Sequence, residues 1–95
     1  MTIDPRSLFD LCERHGIRRL RVFGSHARGD ATPSSDVDLI ADFTEGKSLM
    51  ELVQIERDLA ERLGLRVDLL TEGSLSPYLR ERILDEARVL YERAA

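Results

Sequence analysis

The sequence predicts a single small α/β domain, with a sheet of about three or four strands and helices packed on it. Three observations carry that expectation. Short apolar tracts end in breakers around Leu20–Phe23, Val37–Phe43 and Arg66–Leu70, the pattern of strands closed by turns. Between the last two lies a capped stretch with helical periodicity, so strands and helices alternate along the chain. No internal repeat, low-complexity tract or linker interrupts the 95 residues, enough chain for one modest core and too little for a separate substrate domain, so residues 1–95 read as one domain.

Taken in order, Asp4 and Pro5 form a helix start, with Asp4 as N-cap, Pro5 at the first helical position and Ile3 placed to staple onto Leu8. Gly16 ends that helix. Leu20, Val22 and Phe23 read as a strand running into Gly24-Ser25, where the chain turns toward a short helical segment. Thr32-Pro33-Ser34 breaks the chain before a second strand from Val37 to about Phe43, which Glu45-Gly46-Lys47 closes. Ser48 and Glu51 make a capping box. Leu49, Leu52, Val53, Ile55, Leu59, Ala60 and Leu63 then trace a helical stripe that stops at Gly64. Arg66 to Leu70 alternates as a third strand, with Val67 and Leu69 on one face and Asp68 on the other. Ser76-Pro77 starts a last helix carrying Leu79, Ile83 and Leu84. Val89-Leu90-Tyr91 reads as a short fourth strand in preference to more helix.

Composition narrows the function classes. The chain is 42% hydrophobic and 34% charged, with no apolar run long enough to span a membrane and no cleavable signal, so a cytoplasmic setting is the default. The lone Cys12 cannot form an internal disulfide and sits near Leu8 and Leu11, where buried filler is the expected role; no Cys/His cluster has zinc-site spacing. A net charge of −4 argues against broad electrostatic binding of nucleic acid. Arg14, Arg18, Arg19 and Arg21 are a local exception, read as a solvated face or as a patch facing phosphates or an acidic partner.

The chemistry concentrates in Gly24-Ser25-His26-Ala27-Arg28-Gly29-Asp30 and Ser35-Asp36-Val37-Asp38-Leu39. On an extended chain Asp36 and Asp38 share a face. Two such carboxylates repel unless cations stand around them, and Mg²⁺ usually arrives with substrate phosphates. A Walker loop fails because Asp30-Ala31 stands where Lys and Ser/Thr are required, and no dinucleotide G-x-G-x-x-G is present. An EF-hand fails because Asp36 to Ala41 lacks the third ligand and the turn glycine. What remains is a strand, a Gly-Ser turn able to offer backbone N–H groups to phosphate, and a carboxylate pair on the next strand. Asp68 is a plausible third carboxylate, since a charge in mid-strand is costly unless it faces a metal or an edge. Arg28 could pair with phosphate oxygens or brace the turn through Asp30. His26 is expected at the surface, since this chemistry has no need of it.

These motifs together resemble the nucleotidyltransferase superfamily related to DNA polymerase β and, within it, the small stand-alone MNT-type (MntA-like) domains. Gly24-Ser25 with Ala27-Arg28-Gly29-Asp30 matches the signature turn, Asp36-Val37-Asp38 the two-aspartate strand, and Asp68 the later third aspartate. The resemblance covers most of the chain. It implies a minimal polymerase β-like fold with a small mixed sheet. It also implies two Mg²⁺ ions, with Mn²⁺ as a substitute, held by the catalytic Asp36, Asp38 and Asp68, and ATP phosphates met by Gly24, Ser25 and Arg28.

MNT-type domains are similar to antitoxins that work beside HEPN-type ribonuclease toxins and adenylylate a tyrosine of that partner. The expected function is therefore AMP transfer from ATP to such a toxin in a hetero-oligomer, with no direct nucleic-acid or membrane binding. Two alternatives stand beside it. One is transfer to a small hydroxylated molecule, as aminoglycoside nucleotidyltransferases perform, with a second chain completing the pocket. The other is a module that blocks its partner without catalysis.

Overall fold

A computed structural model describes residues 3–93. Its four strands are β1 (Ile17–Phe23), β2 (Val37–Phe43), β3 (Val67–Leu70) and β4 (Arg88–Glu92), arranged β3-β2-β1-β4 across one sheet. β1 runs antiparallel to both β2 and β4, while β2 and β3 are parallel. The parallel pair requires a crossover, which α3 (Leu49–Leu63) supplies. The result is the small mixed sheet with packed helices that the sequence led us to expect.

Most boundaries follow from local chemistry. Ser48 Oγ accepts from the Glu51 N–H at 3.2 Å, and Glu51 Oε1 accepts from the Ser48 N–H at 3.0 Å, so both arms of the capping box hold the start of α3. Gly64 ends it in the left-handed conformation, φ 68°. The first helix departs from expectation. In place of one helix from Asp4 to Gly16 there is a 3-10 turn over Pro5–Leu8 followed by α1 (Phe9–Arg14). Leu8 stands between them at φ −103° and ψ −8°, a break that accompanies full burial of its side chain.

β1 starts at Ile17 rather than Leu20, because fully buried Ile17 is separated from Leu20 by two arginines that hide the strand in sequence. The last helix starts later than expected. The N–H groups of Leu79 and Arg80 both bond the Ser76 carbonyl, at 3.0 and 2.9 Å, so residues 76–79 form a turn leading into α4 (Arg80–Glu86). A second 3-10 turn, Glu72–Ser74, was not legible in sequence. Ala87, at ψ 140°, leaves the helical region and releases the chain into β4, where Tyr91 pairs Leu20.

Strand alternation divides the apolar residues between two layers. Leu20, Val22, Val37, Leu39 and Ala41 face α1 and α3, where they meet Leu8, Leu11, Cys12, Ile55 and Leu59 in the main core. Each fully buried aliphatic side chain there contributes about 1.5–3 kcal/mol. On the opposite face Phe23 and Ile40 pack with Leu75, and Leu70, Ile83, Leu84 and Ala87 close a smaller cluster beneath α4. β3 is an edge strand whose outward Leu69 N–H donates to Glu56 Oε2 at 2.9 Å, so α3 covers part of that edge.

Candidate active site

The face that carries the smaller cluster ends in polar residues. Along β2, Asp38, Ile40 and Asp42 project to the same side, and register sets their neighbours. Asp38 pairs Phe23 on β1 and Asp68 on β3. The Gly24 turn, Asp38 and Asp68 thus lie side by side at one end of the sheet, although 44 residues separate the first from the last in the chain.

Gly24 is fixed by its neighbours. It adopts φ 73° and ψ −152°, a conformation open to glycine, and a β-carbon there would run into Asp38 Oδ2. Its carbonyl accepts the N–H groups of Ala27 and Arg28, both at 3.1 Å, starting the single-turn helix α2 (Ser25–Arg28). The N–H groups of Ser25 and His26 bond no carbonyl among the described residues. They remain available to an acceptor brought by substrate.

Charge is concentrated at Asp38. Burial pushes its carboxyl above the ordinary carboxylate range, and the nearby Asp68 and Asp36 push it further; His26 and Arg28 pull the other way. A carboxylate destabilised in this manner is one that a cation would stabilise, so the donor set suits a hard divalent ion.

Asp36 is placed differently from its partners. It lies just before β2, and its Oδ1 is 3.0 Å from Arg66 Nε, in a pair whose side chains are 48% and 81% exposed. Among the described residues no three His, Cys, Asp or Glu side chains converge as a preformed metal cage. The structure thus brings Asp38 and Asp68 together opposite the turn and leaves Asp36 near them but engaged with Arg66.

Arg28 braces the turn. Its Nε donates to Asp30 at 3.3 Å and its guanidinium meets both oxygens of Glu86, at 3.3 and 3.4 Å. Glu86 also accepts the Gly24 N–H at 2.9 Å. Nothing in the sequence near Glu86 marks it, since it reaches the turn from the far end of α4. His26 corrects an expectation: both ring nitrogens are enclosed without a partner among the described residues, so the ring is turned inward rather than toward solvent. That leaves an unused donor and acceptor beside the Gly24 turn.

Three of the four arginines in the arginine-rich stretch, Arg14, Arg19 and Arg21, are matched by carboxylates. Arg19 and Arg21 both reach Asp42, at 3.0 and 3.4 Å, and Arg21 also approaches Glu72 at 3.5 Å; Arg14 lies 3.9 Å from Asp10. Alternation turned Arg19 and Arg21 onto the side of Asp42, where their charge is matched. Cys12 is fully buried and its thiol is pushed up to about 12, chiefly by burial, the state of an inert core residue.

A family model described as "Nucleotidyltransferase domain" matches residues 7–90, and the chain belongs to that family. It is 44% identical to the protein adenylyltransferase MntA of Thermococcus cleftensis over 77 residues, 81% of this chain and 78% of that one. It is also 44% identical, over 82 residues, to a provisionally named protein adenylyltransferase of Methanocaldococcus jannaschii, covering 86% of this chain and 88% of that one. A solved structure provisionally described as a minimal nucleotidyltransferase superposes with a TM-score of 0.76 at 45% identity, over 88% of this chain and 86% of that chain. A toxin-antitoxin crystal structure with AMP-PNP shares the fold at a TM-score of 0.82 and 19% identity, over 96% of this chain and 75% of that chain. A further structure of that fold pairs an MNT antitoxin with a tri-AMPylated Shewanella oneidensis HEPN toxin, with a TM-score of 0.71 at 17% identity over 95% and 71% of the two chains.

Proposed function

We propose that this chain, as one domain, is a cytoplasmic antitoxin that transfers AMP from ATP to a tyrosine hydroxyl of a HEPN-type ribonuclease partner. The observation that carries the reading is the junction of Gly24, Asp38 and Asp68. A turn whose Ser25 and His26 N–H groups bond no carbonyl among the described residues lies in close contact with Asp38, which Asp68 faces across the parallel register, in a chain whose relatives at 44% identity bear the name protein adenylyltransferase.

Each residue has a physical task in this reading. Ser25, through its hydroxyl and N–H, and the His26 N–H hold the triphosphate. Asp36, Asp38 and Asp68 would hold the divalent cations, Mg²⁺ or in its place Mn²⁺, with Asp36 exchanging Arg66 for metal. When bound, such ions neutralise the phosphates and make an acceptor hydroxyl more acidic. Asp68, exposed and paired with Asp38 across the parallel register, would take the hydroxyl proton. The acceptor oxygen then bonds to the α-phosphorus as the bond to the pyrophosphate oxygen breaks, and pyrophosphate leaves with that electron pair. Arg28 maintains the shape of the turn and contributes positive charge near Asp38.

An acceptor has little to enclose it on a domain of this size, which favours a second protein as the acceptor. AMP on its tyrosine would place an anionic group where RNA phosphates must approach, switching the ribonuclease off.

Co-expression with a HEPN-type protein encoded beside this chain tests the reading. The partner should gain mass equal to one or more AMP groups, and an Asp38→Asn variant should abolish the gain and restore ribonuclease activity. Neutralisation that persists with this variant, without a mass gain, would instead support steric blocking. Absence of both complex and modification would point to a small hydroxylated acceptor.

A further inference from the structure

Gly24 is held at both of its peptide groups. Its carbonyl is bonded within its own turn, but its N–H is taken by a side chain 62 residues away, Glu86 Oε1 at 2.9 Å. The same carboxylate receives Arg28 through both oxygens, at 3.3 and 3.4 Å. Glu86 is 22% exposed at its side chain, against 47% for Arg28, so this contact is more covered than an ordinary surface pair. Its helix has little freedom. Ile83, Leu84 and Ala87, on either side of Glu86, pack against the cluster of Phe23, Ile40 and Leu75, and Phe23 is the strand residue that leads into Gly24.

We propose that Glu86 is a positioning residue for the nucleotide-binding turn, its carboxylate fixing the Gly24 peptide and the Arg28 guanidinium together before substrate arrives. The proposal rests on the nucleotidyl-transfer reading above and adds a residue to it. A glycine at φ 73° has wide conformational freedom, and rotation about its backbone would reorient the Ser25 and His26 N–H groups that follow it in the turn. A hydrogen bond to an ionised acceptor is stronger than a neutral one and suppresses that rotation. Glu86 touches neither phosphate nor acceptor in this role. It acts through Gly24 and Arg28, so that binding does not have to order the turn.

Two variants of the full chain separate the elements of the bracket. Glu86→Gln keeps a carbonyl oxygen for the Gly24 N–H and loses the charge that Arg28 meets; Glu86→Ala loses both. Amide exchange by NMR on the nucleotide-free protein reads the Gly24 N–H directly. It should be protected in the wild type, still protected in Glu86→Gln and unprotected in Glu86→Ala. Calorimetry with ATP and Mg²⁺ should show about tenfold weaker binding in Glu86→Ala and at most about threefold in Glu86→Gln, with KM for ATP rising more than kcat falls. Unchanged Gly24 protection in Glu86→Ala would overturn the proposal. So would ATP affinity that is unchanged or tighter in that variant, the latter making Glu86 a competitor of phosphate. If the wild-type chain binds no ATP with Mg²⁺, the nucleotidyl-transfer reading fails, and the role of Glu86 toward nucleotide fails with it; the Gly24 exchange result then reports only on the fold.

Discussion

Asp36 and Arg66 face each other at the open end of the β2–β3 pair, with Oδ1 and Nε 3.0 Å apart. The contact is solvent-exposed and therefore weak, worth about 0–1 kcal/mol, yet it occupies a carboxylate that the proposed function gives to metal. Replacing Arg66 with Gln should free Asp36 and tighten binding of Mn²⁺ by a few-fold, at most about fivefold. Calorimetric titration of wild type and variant checks this. Equal or weaker affinity in Arg66→Gln would show that the pair does not compete with the ion.

Asp38→Asn should abolish AMP transfer, and Asp36→Asn should do the same, because each change is nearly isosteric but removes a charge the cations need. The metal-free protein should tolerate Asp38→Asn well. The Asp38 carboxyl lies above its ordinary value in the fold, so its contribution to stability is fully present only below the unfolded value and is lost as pH rises through the folded one. The ionised form of Asp38 is thus a net burden on the fold. Thermal melts in EDTA should place Asp38→Asn at or above wild type at pH 7 and remove that advantage at acidic pH. A variant that melts well below wild type at pH 7 would contradict this.

Gly24→Ala tests the close approach of turn and carboxylate. The added carbon meets Asp38 Oδ2 and forces a positive φ on a residue that resists it. We expect a loss of about 1–3 kcal/mol in urea-induced unfolding, together with loss of ATP binding. Gly29→Ala is the control. It also has positive φ, but a β-carbon there meets nothing within 4 Å, so ATP binding should survive.

Acid should loosen the contact between the N-terminal helix and α3. Arg62 meets both oxygens of Asp10, at 2.7 and 3.0 Å, and holds its carboxyl down at about 2. The stability it lends is present above the ordinary carboxylate pKa and is lost as pH falls from there through about 2. Asp10→Asn should flatten this part of the acid-denaturation profile and leave the profile above pH 5 parallel to wild type. Because the pair is exposed, the difference should shrink in high salt.

The sequence by itself determined the elements that rest on local chemistry. Ser48 and Glu51 wrote the start of α3 and Gly64 its end; Thr32-Pro33-Ser34 and the alternation after it placed β2; the Gly-Ser turn with Asp36, Asp38 and Asp68 pointed to the nucleotidyltransferase family. Caps, turns and strand alternation depend on residues a few positions apart, so they are legible without a fold. Tertiary structure alone decided what depends on distant partners. The parallel register sets Asp68 against Asp38, and the pairing of Arg66 draws Asp36 aside. Packing on β1 brought α4 across the sheet, delivering Glu86 to Gly24 and Arg28. Arg19 and Arg21 of β1 belonged to a stretch that read as a basic face in sequence, but their positions beside Asp42 and Glu72 matched their charge. His26 turned inward for the same reason that the others could not be foreseen: what a side chain meets is fixed by segments that arrive from elsewhere in the chain.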